Sequence, residues 1–189
     1  MVKNPTIADL YRVDGKAEVV SGKIIERSPT GFLPGYAADE IFTRLRAYAR
    51  KTRIGYAVGD NKGYQVDLPH RKSFSPDASF HKGVHSGMKF LEGAPWFAVE
   101  VRSENDYGPE ADAAVQTKIA DYFAAGTQVV WDVDVLALEV VRMYTAQEPK
   151  RPAIFARGMT AHAEPVLPGW TMPVDEMFPY FVQFEAEQS

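Results

Sequence analysis

Trp96-Phe97-Ala98-Val99-Glu100-Val101-Arg102 carries the strongest strand signal in the chain, and the fold is read outward from it. Alternation places Trp96, Ala98, Glu100 and Arg102 on one face and Phe97, Val99 and Val101 on the other. Downstream, Gly108-Pro109 precedes a helix over roughly Asp112–Ala125, with Gly126 just past its end, the usual order of proline at the start and glycine at the finish. Gln128–Val133 and Leu138–Tyr144 then read as further strands. Upstream, Asp77–Phe80 and Gly63–Leu68 read as strands, the latter ending at Pro69. Ile41, Leu45, Tyr48 and Thr52 follow helical spacing and give one buried stripe. Before that helix, Ala17–Val20 and Lys23–Arg27 form a hairpin around Ser21-Gly22, and Ser28-Pro29-Thr30-Gly31 breaks the chain. The tail from Leu167-Pro168-Gly169-Trp170 through Met177-Phe178 is expected to pack onto the body. With no internal repeat or linker, residues 1–189 are expected to form one α/β domain.

Composition narrows the class. The 189 residues are 46% hydrophobic and 24% charged, which is globular rather than disordered. No apolar run approaches the ~20 residues of a membrane span, and Met1–Thr6 lacks a signal-peptide core. The absence of cysteine removes disulfides and thiolate metal sites. A cytoplasmic protein without membrane association is the expectation. The net charge of −4 argues against a uniformly basic surface. It is unevenly spread, however: residues 1–90 carry +6 and residues 91–189 carry −10. An electropositive face follows if the fold keeps the two halves apart.

Glu100 stands out because an unpaired carboxylate in an apolar strand costs several kcal/mol. It requires a cation, a metal or an ion-pair partner. Lys118 falls within the apolar stripe of Val115, Ile119, Tyr122 and Phe123, where a lysine needs a buried anion or must reach past its neighbours to water. Asp77 follows Pro76, which favours extended geometry before it. Two carboxylates and an ammonium suit Mg²⁺- or Mn²⁺-assisted phosphodiester hydrolysis, because hard cations take carboxylate oxygen and stabilise the charge of the transition state. An ammonium can orient or deprotonate the attacking water. Arg46, Arg50 and Arg53 share a second face of the first long helix, either a solvated face or a phosphate-contacting one. His81 and His85 are read as a surface loop because Gly83 separates them, and Asp132 and Asp134 as the solvated end of their strand. No phosphate-binding glycine loop, Gly-x-Ser-x-Gly elbow or dinucleotide fingerprint is present.

Several short segments, in order, resemble the Uma family of restriction-endonuclease-like proteins in the PD-(D/E)XK nuclease-like superfamily. They are Glu18–Glu26, Ser28–Gly31, Pro76-Asp77-Ala78, Val99–Ser103, Lys118 with Tyr122, Ala125-Gly126, Val130–Asp134, Leu167–Gly169 and Phe178. The resemblance spans nearly the whole chain. It implies an α+β, restriction-endonuclease-like core with a mixed central sheet flanked by helices, and Asp77 and Glu100 as metal ligands. The superfamily lysine two residues after the second acid is Arg102 here. Arginine is no general base at neutral pH, so Arg102 is expected to bind phosphate or pair with Glu100. The resemblance moves the lysine role to Lys118 and offers Glu26 as an additional acid. The family's histidine after the Ser-Pro-Thr-Gly turn is missing, and Pro34 lies in that stretch. The reading is a Mg²⁺- or Mn²⁺-dependent endonuclease on DNA, expected as a homodimer. The alternative is a nuclease fold without turnover that binds nucleic acid or a protein partner.

Overall fold

The computed structural model describes residues 4–180. The first three residues of the Met1–Thr6 stretch and residues 181–189 of the expected 1–189 domain lie outside the described residues. A turn of helix α1 (Ile7–Leu10) leads into the hairpin β1 (Lys16–Val20) and β2 (Lys23–Arg27). The long helix α2 (Phe32–Thr52) is followed by β3 (Tyr56–Gly59), β4 (Tyr64–Gln65), β5 (Ser73–Phe74), β6 (Ala78–His81), β7 (Leu91–Glu92) and β8 (Phe97–Val101). Helix α3 (Pro109–Ala124) joins β8 to β9 (Val129–Val133). After β9 come β10 (Val141–Thr145), β11 (Ala153–Phe155), β12 (Thr160–His162), β13 (Thr171–Pro173) and a 3₁₀ turn (Val174–Met177).

Six strands form the main sheet in the order β11-β10-β9-β8-β6-β3. Within this sheet, among the described residues, β8 and β9 run parallel and every other neighbouring pair is antiparallel. A parallel pair needs a crossover connection, and α3 supplies it. The strand faces divide as alternation demands. Phe97, Val99 and Val101 pack with Ala37, Ile41 and Leu45 of α2 on one side. Ala98 and Val130 pack with Ile119 and Tyr122 of α3 on the other. The C-terminal segment closes the α2 side, burying Leu167, Trp170, Met172 and Met177. Trp131 sits under Trp170, with ring centroids 5.3 Å apart.

Outside the main sheet, β1 and β2 pair from Lys16 opposite Arg27 to Val20 opposite Lys23. Ser21 (φ 49°) and Gly22 (φ 70°) turn the hairpin with both residues left-handed, the geometry that matches strand twist. Gly22→Ala is expected to cost about 1 kcal/mol, because a side chain there must adopt the left-handed region. Urea denaturation checks it, and an unchanged midpoint would show that the turn relaxes. The hairpin is fixed to residues 70–73. Ser21 N–H donates to His70 O at 2.5 Å, Lys72 N–H to Val19 O at 2.9 Å and Val19 N–H to Ser73 Oγ at 2.9 Å.

Several expectations are corrected. The strand read over Gly63–Leu68 is only Tyr64–Gln65, because the chain folds back so that Val66 and Leu68 bond to Lys72 and Arg71. The strand read from Leu138 begins at Val141, after a turn closed by Asp134 N–H on Val140 O. His81 ends β6 and is buried, whereas His85 is exposed in the following loop. Asp132 and Asp134 are buried rather than solvated, since β9 is flanked by β8 and β10. The basic and acidic halves of the sequence are interleaved: β6 lies beside β8, so the charge asymmetry does not translate into two separate lobes.

Candidate functional site

Several carboxylates and three cations, Lys16, Arg71 and Lys118, meet where β1, β6, β8 and α3 converge. Alternation along β1 puts Lys16 and Glu18 on one face. Glu18 is completely buried. Its Oε2 accepts from Arg71 at 2.8 Å, and its Oε1 accepts from Ser75 N–H at 2.8 Å and lies 3.1 Å from Lys118 Nζ. Burial alone would lift this carboxyl, but Lys118 and Arg71 outweigh it and hold the group at about 2. Arg71 continues the chain of charges to Asp121, 2.7 Å away, whose other oxygen meets His70 at 2.7 Å.

Glu100 faces α3 from the middle of β8, and α3 supplies its partners. Lys118 donates to its Oε2 at 2.8 Å and Tyr122 to its Oε1 at 2.5 Å. Spacing of four residues on a helix places both donors on one face. Burial pushes the Glu100 carboxyl upward, and the neighbouring Asp77 and Glu18 charges add to that rise against the pull of Lys118. Burial disfavours the Lys118 ammonium, yet Glu100 and Glu18 together raise its affinity for the proton. Asp77 stands just before β6. Its Oδ2 accepts from Val101 N–H at 2.7 Å, and its Oδ1 accepts from Lys16 at 2.5 Å. Lys16 also lies 2.7 Å from Asp60.

Asp77, Glu100 and Lys118 all line one cleft of about 1290 Å³. The β1–β2 hairpin and the Ser28–Gly31 turn form one wall, and the loop after β8 with the first turns of α3 forms the other. Glu26 lines the rim from β2, opposite Ala17 and exposed. Arg102 does not pair with Glu100. Its guanidinium makes a two-pronged contact with Asp132, at 2.8 and 2.9 Å, and a third bond to Asp112 at 2.5 Å. Those hydrogen bonds raise the Arg102 pKa further despite its burial. Glu100 and Asp132 are neighbours in the β8–β9 register, so the sheet offers two acids side by side and each takes a different cation. Arg46 and Arg50 are exposed on the C-terminal half of α2, but Arg53 is exposed just past its end, where the backbone turns left-handed (φ 57°), so the three do not all share one helix face; all lie outside the cleft lining.

Glu18, Lys16, Arg71 and Asp60 belong to this cluster and were not singled out in the sequence. Glu18 carried a signal of the same kind as Glu100, a carboxylate inside the apolar run Ala17–Val20. Lys16 and Arg71 carried none, since their partners are remote in sequence.

Among the described residues no group of three or more His, Asp or Glu side chains is arranged as a metal cluster. Asp77 and Glu100 nonetheless fit Mg²⁺ or Mn²⁺ by donor chemistry, because Mg²⁺ usually takes one or two carboxylates and keeps its remaining positions for water and phosphate. Among the described residues no helix is long and apolar enough to cross a membrane.

A comparison with curated proteins finds no match. Among solved structures, the chain is similar to "a putative nuclease belonging to DUF820" from Anabaena variabilis ATCC 29413. The TM-score is 0.72 at 17% identity, over 92% of this chain and 97% of the other, which establishes a shared fold. Restriction-endonuclease-like families generally use divalent metals. A family profile covers residues 7–175, nearly all of the described chain, and on that match the protein belongs to the Uma2 family, whose description reads "Putative restriction endonuclease".

Proposed function

We propose that the protein is a Mg²⁺- or Mn²⁺-dependent endonuclease that hydrolyses DNA phosphodiester bonds. The observation that supports this most is the convergence of Asp77, Glu100 and Lys118 on one cleft. At about 1290 Å³ the cleft exceeds the roughly 300–1,000 Å³ of small-molecule pockets and suits an extended ligand. Asp77 and Glu100 would hold the divalent cation, which supplies Lewis-acid stabilisation of phosphoryl charge when bound. Lys118 keeps its proton between two carboxylates, so it orients the attacking water by donation rather than by removing a proton. Glu26 at the rim is the additional acid in this reading. Arg102, committed to Asp132 and Asp112, fixes the cleft wall instead of contacting phosphate. The exposed Arg46, Arg50 and Arg53 form a track for flanking phosphates beyond the cleft. In this reading, on the strength of the family resemblance, the protein acts as a homodimer.

A second reading has its own support: Lys16 and Lys118 already neutralise both acids, as in a nuclease fold without turnover that binds nucleic acid or a protein partner. Calorimetric titration of Mn²⁺ into wild type, Asp77→Asn and Glu100→Gln separates the two. The nuclease reading expects binding in the wild type and its loss in both variants. It also expects Glu100→Gln to leave metal-free stability equal or higher, since Lys118 retains Glu18 and a buried like charge disappears. No binding in the wild type, with Glu100→Gln destabilised by a few kcal/mol, would establish a structural ion pair instead.

A further inference from the structure

The nuclease reading leaves Lys16 without a role, yet Lys16 is the group bonded to Asp77. Its Nζ lies 2.5 Å from Asp77 Oδ1 and 2.7 Å from Asp60 Oδ1. It projects from β1 on the same face as Glu18, and the Glu100 charge attracts it as well. The Lys16 and Asp77 side chains are only 17% and 19% exposed, whereas Asp60 is 45% exposed at the cleft's edge. A monovalent cation tethered to a strand therefore occupies Asp77 Oδ1, while Asp77 Oδ2 already accepts from Val101 N–H. An ammonium and a divalent cation on one carboxylate repel strongly where water screens little. Asp60 offers Lys16 a second carboxylate to keep once it leaves Asp77.

We propose that Lys16 is a built-in competitor for the divalent cation, neutralising Asp77 in the metal-free protein and withdrawing to Asp60 when the metal binds. This rests on the metal-site reading above. The competition sets a threshold: the site assembles only where the free cation is concentrated enough to displace the lysine.

The test is calorimetric titration of Mn²⁺ into wild type, Lys16→Met and Lys16→Arg, with circular dichroism to verify folding. Loss of one charge-assisted hydrogen bond to the competitor is expected to tighten Mn²⁺ binding about tenfold or more in Lys16→Met. Lys16→Arg, which keeps the cation, is expected to bind at most as tightly as wild type. Binding in Lys16→Met alone, with none in wild type, supports the proposal in its strongest form. Wild-type binding that Lys16→Met leaves equal or weaker overturns the role of Lys16 and leaves the metal site standing. Absence of binding in both overturns the competitor and the metal site together. A wild-type measurement decides the matter if Lys16→Met fails to fold. Mn²⁺ is expected to raise acylation of Lys16 by an amine-reactive reagent several-fold, read by peptide mass spectrometry, with exposed Lys51 unchanged. Unchanged or reduced labelling of Lys16 at Mn²⁺ concentrations that the wild type binds overturns the proposal.

Discussion

Asp132→Ala is expected to destabilise the protein by about 3–5 kcal/mol, because it strands a buried arginine. Asp132 is 1% exposed and takes both prongs of the Arg102 guanidinium. Arg142 stands 3.9 Å from the same carboxylate. Once Asp132 is removed, Arg102 keeps only Asp112, a half-exposed partner on α3, and a long bond to Asp106 O. A charge held at 9% exposure cannot recover its hydration without moving. The first turn of α3 and the loop over residues 103–108 hang on that guanidinium, so faster amide exchange is expected in residues 103–112. The paired change Arg102→Met with Asp132→Leu is expected to recover most of the loss, as apolar replacement of whole buried ion pairs commonly does. Urea denaturation of both variants checks it. A loss below 1 kcal/mol in Asp132→Ala would mean that water reaches Arg102 freely.

Glu18→Gln is expected to cost about 3 kcal/mol at neutral pH. The isosteric amide keeps an oxygen for Ser75 N–H but loses the charge that holds Arg71 and Lys118. The magnitude follows from linkage. The native carboxyl is held at about 2 against an ordinary value of 4.5, and each unit corresponds to ~1.4 kcal/mol. Because the native value is depressed, the contribution is fully present above the unfolded value and is lost as pH falls through the native one. Wild-type stability should therefore decline between about pH 4.5 and pH 2 more steeply than that of Glu18→Gln, and the two curves should converge at the acid end. Denaturation midpoints across that range provide the measurement. Parallel curves would show that Glu18 is not the group whose protonation weakens the fold.

Four charged residues, Glu100, Lys118, Glu18 and Asp132, mark where sequence reading succeeds and where it stops. Glu100 was legible because its strand neighbours are all apolar, and Lys118 because it interrupts a helical stripe. Each anomaly requires a partner, and the structure pairs them at 2.8 Å. Glu18 presented the same anomaly within a shorter run that also read well as an ordinary hairpin. Asp132 looked like a strand end because Asp134 follows it, and sequence cannot show that β10 continues the sheet past it.

The sequence by itself determined several elements and their faces: the β8 alternation, the caps of α3, the stripe of α2 and the hairpin at Ser21-Gly22. Those features arise from contacts between residues a few positions apart, where backbone geometry fixes which side chains share a face. Tertiary structure alone decided which charge meets which. Arg102 lies two residues from Glu100 yet bonds to Asp132, while Lys16 reaches Asp77 across 61 positions. A charge selects its partner by distance and shared desolvation, and both are set by how β1, β8, β9 and α3 pack rather than by their order along the chain.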